Sequence, residues 1–188
     1  MRQSNLVWVV LAVLIAGPLA AADTYKIDGV HSAAIFRIKH MNTSYSYGRF
    51  NDISGKIVND AANPAAGSVE IEIKADSIDT HNANRDGHLK SPDFLNAKQF
   101  PVITFKSKEI KKAGDAFEVT GDFTLHGVTK PVTTKVVHTG TGKNPKGGEL
   151  IGFETTFTIK RSDYGMSFML EGASDEIQIT FAVEAVKE

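Results

Sequence analysis

The chain has 188 residues, 41% of them hydrophobic and 23% charged, with a formal net charge of −1 and no cysteine. That length suits one domain, which hides roughly 70% of its unfolded surface. Scattered basic residues leave no electrostatic footprint for nucleic acid, and the lack of cysteine excludes disulfides, thiolate catalysis and thiolate metal sites.

Residues 1–22 read as a secretory leader. Arg2 is the positive start, Leu6 to Ala16 is a continuous apolar run, Gly17-Pro18 breaks it, and Ala20-Ala21-Ala22 supplies small residues for cleavage before Asp23. The run is too short to span a bilayer comfortably, since a spanning helix needs about 20 residues. Without Arg2, 20 basic residues face 22 acidic ones, a net charge of −2. The expected products are a signal peptide and one exported domain, residues 23–188.

Period-two alternation then runs through the chain. A short strand is expected at Tyr25 to Asp28, followed by one with Ala34, Phe36, Ile38 and His40 on one face. Phe50 to Val58 reads as the next, with Gly55 as a bulge or bend. After a hairpin loop at 61–67, Val69, Ile71, Ile73 and Ala75 alternate with Glu70, Glu72 and Lys74. The pattern changes at about residues 82–97, where Leu89, Phe94 and Leu95 give an apolar face to a short helical segment before Phe100-Pro101. Strand composition resumes with Ile103 and Phe105, and Lys112 to Asp115 is a tight turn. Phe117, Val119, Gly121, Phe123 and Leu125 form the next dry face. Pro131 to His138 is polar enough for an edge or rim strand, and residues 141–148 read as a long, flexible loop. Ile151, Phe153, Thr155, Phe157 and Ile159 alternate next, and Ile177, Ile179, Phe181, Val183 and Ala185 close the series.

About eight amphipathic antiparallel strands make a sandwich or a closed barrel, and an eight-stranded barrel either packs solid or holds one small ligand. Small residues among the large inward ones (Ala75, Gly121, Thr155, Ala185) leave a channel or let side chains interdigitate. The segment Tyr164 to Leu170 puts Met166, Phe168 and Met169 into a connection where polar residues are usual. It reads as a plug for one barrel end or as a ligand gate.

Chemistry-bearing motifs are sparse. His31, His40, His81, His88, His126 and His138 have no zincin spacing, and most sit in polar turns that suit capping or bonding to backbone carbonyls. There is no Gly-x-Ser-x-Gly elbow and no Gly-rich phosphate loop. A zinc- or His/Asp-dependent hydrolytic enzyme of the cell envelope is the alternative to a binding protein.

Four stretches resemble the YceI-like family of exported, lipocalin-like polyisoprenoid-binding proteins: Tyr25 to Met41, Asn82 to Phe105, Gly121 to Val132 and Phe157 to Met166. His31, Ser32 and Phe36 match the first motif; Asn82, Arg85, Asp86, His88, Leu89, Ser91, Phe94 and Pro101 the second. Gly121, His126, Gly127, Thr129 and Pro131 match the third, and Arg161, Asp163 and Gly165 the fourth. Tyr25 stands where Trp is frequent, and Gly87 where a larger residue is common. The resemblance implies an all-β, eight-stranded antiparallel lipocalin-like barrel with the helical segment over one side. It implies a periplasmic, non-catalytic carrier of an isoprenoid quinone, polyprenyl phosphate, fatty amide or similar amphiphile. It implies no cofactor and no metal, transient contact with a membrane or membrane protein, and admits a homodimer. On this reading the tail lies among Phe36, Ile38, Phe50, Ile71, Ile73, Phe105, Phe123, Phe157, Ile179 and Phe181. His40, Phe94, Met166, Phe168 and Met169 lie near the helical segment or mouth, and Arg85 with Asp86 reads as an ion pair fixing that segment.

Overall fold

The structure, a computed structural model, describes residues 22–188. The expected leader, up to Ala21, lies outside the described residues. Eleven strands form: β1 (Asp23–Ile27), β2 (Ala33–His40), β3 (Ser44–Phe50), β4 (Ile53–Asn59), β5 (Ser68–Lys74), β6 (Ile78–Asp79), β7 (Val102–Ala113), β8 (Ala116–Leu125), β9 (Val128–Lys143), β10 (Glu149–Lys160) and β11 (Ala173–Lys187).

They occupy eight positions in a closed antiparallel ring. β1 and β2 run along one side of β11, with Ile27 opposite Ala185 and Ala34 opposite Phe181. β4 pairs with β1, and β3 with β2. β5 and β6 follow on β4 and β3 in turn. Each of these pairs is one strand position with a bend in it, and β7 to β11 complete the circuit. Closure pairs most strand edges among the described residues. The outward face carries Glu70, Glu72 and Lys74, the reverse of a barrel whose outer band meets lipid.

The strand expected at an edge or rim is β9. Its ladder to β8 covers Val128 to Val137, and its ladder to β10 covers Val136 to Lys143. The ring therefore hands over from one neighbour to the other within two residues. Pro131, which has no N–H to donate, sits in the half with no β10 ladder. The bend at Asp28 to Ser32 is clasped onto β11: Ser32 Oγ donates to the Glu184 carbonyl at 3.2 Å and accepts from Glu184 N at 3.1 Å.

Three expectations need correction. The strand placed at Phe50 to Val58 is two strands, and β3 begins at Ser44. The alternation misled because β3 turns its tyrosines outward and its small residues, Ser46 and Gly48, inward. The Phe36 ring fills the space over Gly48, where an added Cβ would lie 2.4 Å from it. The loop at 141–148 is short: β9 runs on to Lys143, and Asn144 Oδ1 accepts from the backbone of Lys146 (3.0 Å) and Gly148 (2.9 Å). The helical segment opens with α1 (Ala83–Leu89), capped by Asn82 accepting from Arg85 N, and continues to Gln99 as tight turns.

Gly48→Ala is expected to displace the Phe36 ring and cost about 1–3 kcal/mol. Guanidinium unfolding followed by circular dichroism checks it, as a lower midpoint at an unchanged slope.

Candidate ligand-binding site

The inward side chains do not fill the ring. Among the described residues, two cavities lie on either side of a waist of aromatic rings. Phe157 lies edge-on to Phe123 with ring centroids 5.6 Å apart, and to Phe181 at 5.7 Å. Both distances are ordinary for edge-to-face aromatic pairs. Phe105 completes the layer by crossing Gly121, whose lack of a Cβ admits the Phe105 ring.

The larger chamber, of about 310 Å³, lies on the helical side of this waist. Phe36, Ile38 and Phe50 from β2 and β3 form one wall, Ile73 and Ile103 another, and Ile159, Ile177 and Ile179 a third. Leu89, Phe94, Leu95 and Met166 cover it. The smaller chamber, of about 80 Å³, lies at the other end, among Ile57, Val69, Ile71, Val119 and Val183.

Polar groups gather where the large chamber opens. His40, Arg85, His88 and Met169 line it and are also exposed, which marks the mouth. Arg161 sits inside, only 1% exposed. Its Nε donates to the Ser174 carbonyl (3.0 Å), Nη1 to Met166 (2.9 Å) and Nη2 to Ala173 (2.7 Å). Its guanidinium carbon lies 5.8 Å from the Phe94 ring centre. Burial pulls the Arg161 pKa down, and the nearby Asp175 acts the other way. Three carbonyls thus hold a buried cation against the chamber wall.

The cover is fixed by one buried threonine. Thr80 N and Oγ1 donate to Asp86 Oδ1, Arg85 Nε donates to Thr80 Oγ1 at 2.7 Å, and Arg85 Nη2 donates to the Thr80 carbonyl at 2.6 Å. The expected Arg85–Asp86 ion pair is therefore replaced by Thr80 standing between them. His88 Nε2 lies 2.9 Å from Asp93 Oδ2, and its ring packs edge-on against Phe94 and Phe168.

The apolar loop divides its side chains between the two expected roles. Tyr164 and Met166 are buried, with Tyr164 edge-on to Phe123 at 5.9 Å, so they plug the barrel end. Phe168, Met169 and Leu170 are exposed and form a rim beside Met41, whose N–H donates to the Gly172 carbonyl at 2.8 Å.

The fifteen residues expected to meet a ligand fall into three places. Phe36, Ile38, His40, Phe50, Ile73, Phe94, Phe123, Met166, Met169, Ile179 and Phe181 line the larger chamber. Ile71, Phe105 and Phe157 line the smaller one, and Phe181 faces both. Phe168 lines neither and stands at the rim. Arg161, Arg85, His88, Thr80 and Leu89 line the larger chamber and were not among those fifteen. An arginine in a segment otherwise resuming from an apolar strand was the available signal for Arg161.

The histidines do not converge on one centre. His126 Nδ1 bonds the Tyr164 carbonyl at 2.9 Å and its ring meets Phe100, so it pins the plug to the β8–β9 turn. Asp28, His31 and Glu184 do come together, with potential ligand atoms within 4.8 Å of one another, at the exposed β1–β2 bend and away from both chambers.

Comparison with known proteins places the chain. The YceI-like domain model matches residues 25–185. A "UPF0312 protein" of Pseudomonas aeruginosa is 46% identical over 179 residues, covering 94% of this chain and 93% of its own. One from Yersinia pestis is 47% identical over 174 residues, covering 92% and 90%. Among solved structures, Burkholderia cenocepacia BcnA aligns with a TM-score of 0.77 at 26% identity over 84% of this chain and 98% of its own. The Campylobacter jejuni YCEI protein aligns at 0.71 and 35% identity over 80% and 90%. A polyisoprenoid binding domain from Saccharophagus degradans aligns at 0.70 over 87% and 98%, and at 18% identity shows the shared fold alone.

His31 Nδ1 lies 2.8 Å from Asp28 Oδ2. The hydrogen bond that His31 donates to Asp28 raises the His31 pKa above its ordinary 6.5 and lowers that of Asp28. The histidine's contribution is complete below pH about 6.5 and is lost as pH rises through its raised folded value. The carboxylate's is present above its unfolded pKa and lost as pH falls through its depressed one. Titration of His31 by NMR is expected to give a midpoint above 6.5, moving down in Asp28→Asn with Glu184 still in place.

Proposed function

The chain belongs to the YceI-like family, and from that membership we propose that it is a periplasmic carrier of a polyisoprenoid or similar amphiphilic lipid. Isoprenoid quinones, polyprenyl phosphates and fatty amides are the ligands in view, and the protein binds them without transforming them. One observation carries the proposal: a chamber of about 310 Å³, walled by apolar side chains, with its charged groups at the mouth and in one side wall. The polyisoprenoid in the name of the Saccharophagus degradans domain supports the same ligand class.

The physics suits an amphiphile. A tail leaving water gains roughly 25 cal/mol for each Å² of apolar surface buried. A head left at the mouth meets His40, His88 and Arg85, and avoids burial without a partner. The walls offer little directional bonding, so selectivity for tail type is loose.

Protein purified from an exporting host, with its lipids extracted into organic solvent, is expected to yield an isoprenoid lipid. A lipid-free extract, combined with no binding of added isoprenoid quinone or polyprenyl phosphate, overturns the proposal.

Delivery follows from the rim. Met41, Phe168, Met169 and Leu170 surround the mouth, and we assign them the contact with a membrane surface. Flotation with phosphatidylglycerol-containing vesicles is expected to carry the protein, and Met41→Ser with Phe168→Ser to lower the bound fraction severalfold. Equal flotation of both proteins removes the rim from the delivery step.

A further inference from the structure

We propose that Phe157 and Phe181 fix how much tail the barrel encloses. The inference rests on the carrier reading and specifies its ligand further: one whose enclosed portion is about twelve carbons.

The waist is a floor. Phe181 faces both chambers, and Phe157 bridges it to Phe123 by two edge-to-face contacts of 5.7 and 5.6 Å. All three rings are buried. Below them lies the 80 Å³ chamber, lined almost wholly by apolar side chains. Above them, Arg161 lies four residues beyond Phe157, directly after β10, in the side wall of the large chamber. At about 3.3 Å per residue along the strand, that wall position stands at most about 13 Å above the floor. A dry cavity of about 150 Å³ accepts one benzene. The 310 Å³ chamber therefore takes roughly two such groups, or about twelve carbons. That is between two and three isoprene units. A longer tail emerges between the helical cover and the Met169 rim instead of threading the barrel.

The floor also stands between this chamber and the smaller one. Removing the Phe157 ring joins the two chambers and adds its own volume. The joined space then continues to Ile57 and Val69 at the far end.

The test is isothermal titration of the purified full-length protein with linear prenols of two, three and four isoprene units. In the wild type, affinity is expected to rise about tenfold or more from two units to three, since each buried methylene is worth about fourfold. From three to four units it is expected to change less than about threefold. Phe157→Ala and Phe181→Ala are expected to move that break, so that four units bind about tenfold tighter than three. Phe157→Leu, a smaller truncation, provides the same reading if the alanine variants do not fold, with circular dichroism reporting the fold. Wild-type affinity that keeps climbing from three units to four overturns the inference, as does a folded variant whose break stays in place. In both cases prenols still bind and the carrier reading stands. Binding of no prenol at any length removes the carrier reading itself.

Discussion

The aromatic layer of Phe123, Phe157 and Phe181 is the constraint around which the barrel is arranged. An eight-stranded ring is only wide enough for side chains to meet at its axis or to leave a narrow void. Here the chain does both, at different levels. At the waist, rings from β8, β10 and β11 lock edge to face. Phe105, opposite Phe123, joins them because Gly121, two residues earlier on β8, presents no side chain to its ring. Toward the helical end, Phe36 and Phe50 stand among Ile38, Ile73, Ile103, Ile159, Ile177 and Ile179, and the large chamber opens. A packed waist also supplies the buried surface that a cysteine-free chain needs to hold its fold.

Most of the barrel was legible because its strands obey a period of two. Ile71 and Ile73, Phe123 and Leu125, and Phe181 and Val183 all point inward as their alternation requires. β3 was not legible, because its inward residues are Ser46 and Gly48. Their smallness makes sense only once Phe36 is known to lie across them, a contact between strands that no single-strand pattern carries. The bends that split the first three ring positions share this character. They follow from how far each neighbour extends, as the clasp of Ser32 on β11 illustrates.

The site was legible in its materials but not in its partition. The aromatic and branched residues of the inner faces could be named from the pattern. Which of them close a floor and which line a void depends on ring orientation across four strands. Arg161 escaped for a related reason. Its place depends on three carbonyls supplied by a loop and by the start of β11, five to thirteen residues away in sequence. The Arg85–Asp86 pair was plausible as neighbours on one helix turn, yet Thr80, from outside that helix, intervenes.

The mouth combines rigidity with exposed apolar surface, and the backbone shows how. Met41 and Met169 both adopt left-handed conformations, with φ of 47° and 51°. Non-glycine residues rarely take that region, and such strain concentrates at ligand clamps and other functional sites. Met41 turns the β2–β3 hairpin, and Met169 turns the loop whose Gly172 carbonyl accepts from Met41 N. The two strained turns are thus tied together by one hydrogen bond, with methionines displayed on both. Methionine adapts to irregular apolar partners without needing a fixed shape. Beneath it, Arg161 fastens the same loop to the start of β11 through rigid, directional bonds. Backbone and arginine hold the opening in place, while the side chains around it remain adaptable. For the proposed carrier, an entrance of that kind would admit chains of different structure, leaving discrimination to the depth of the chamber and to the polar groups of the head.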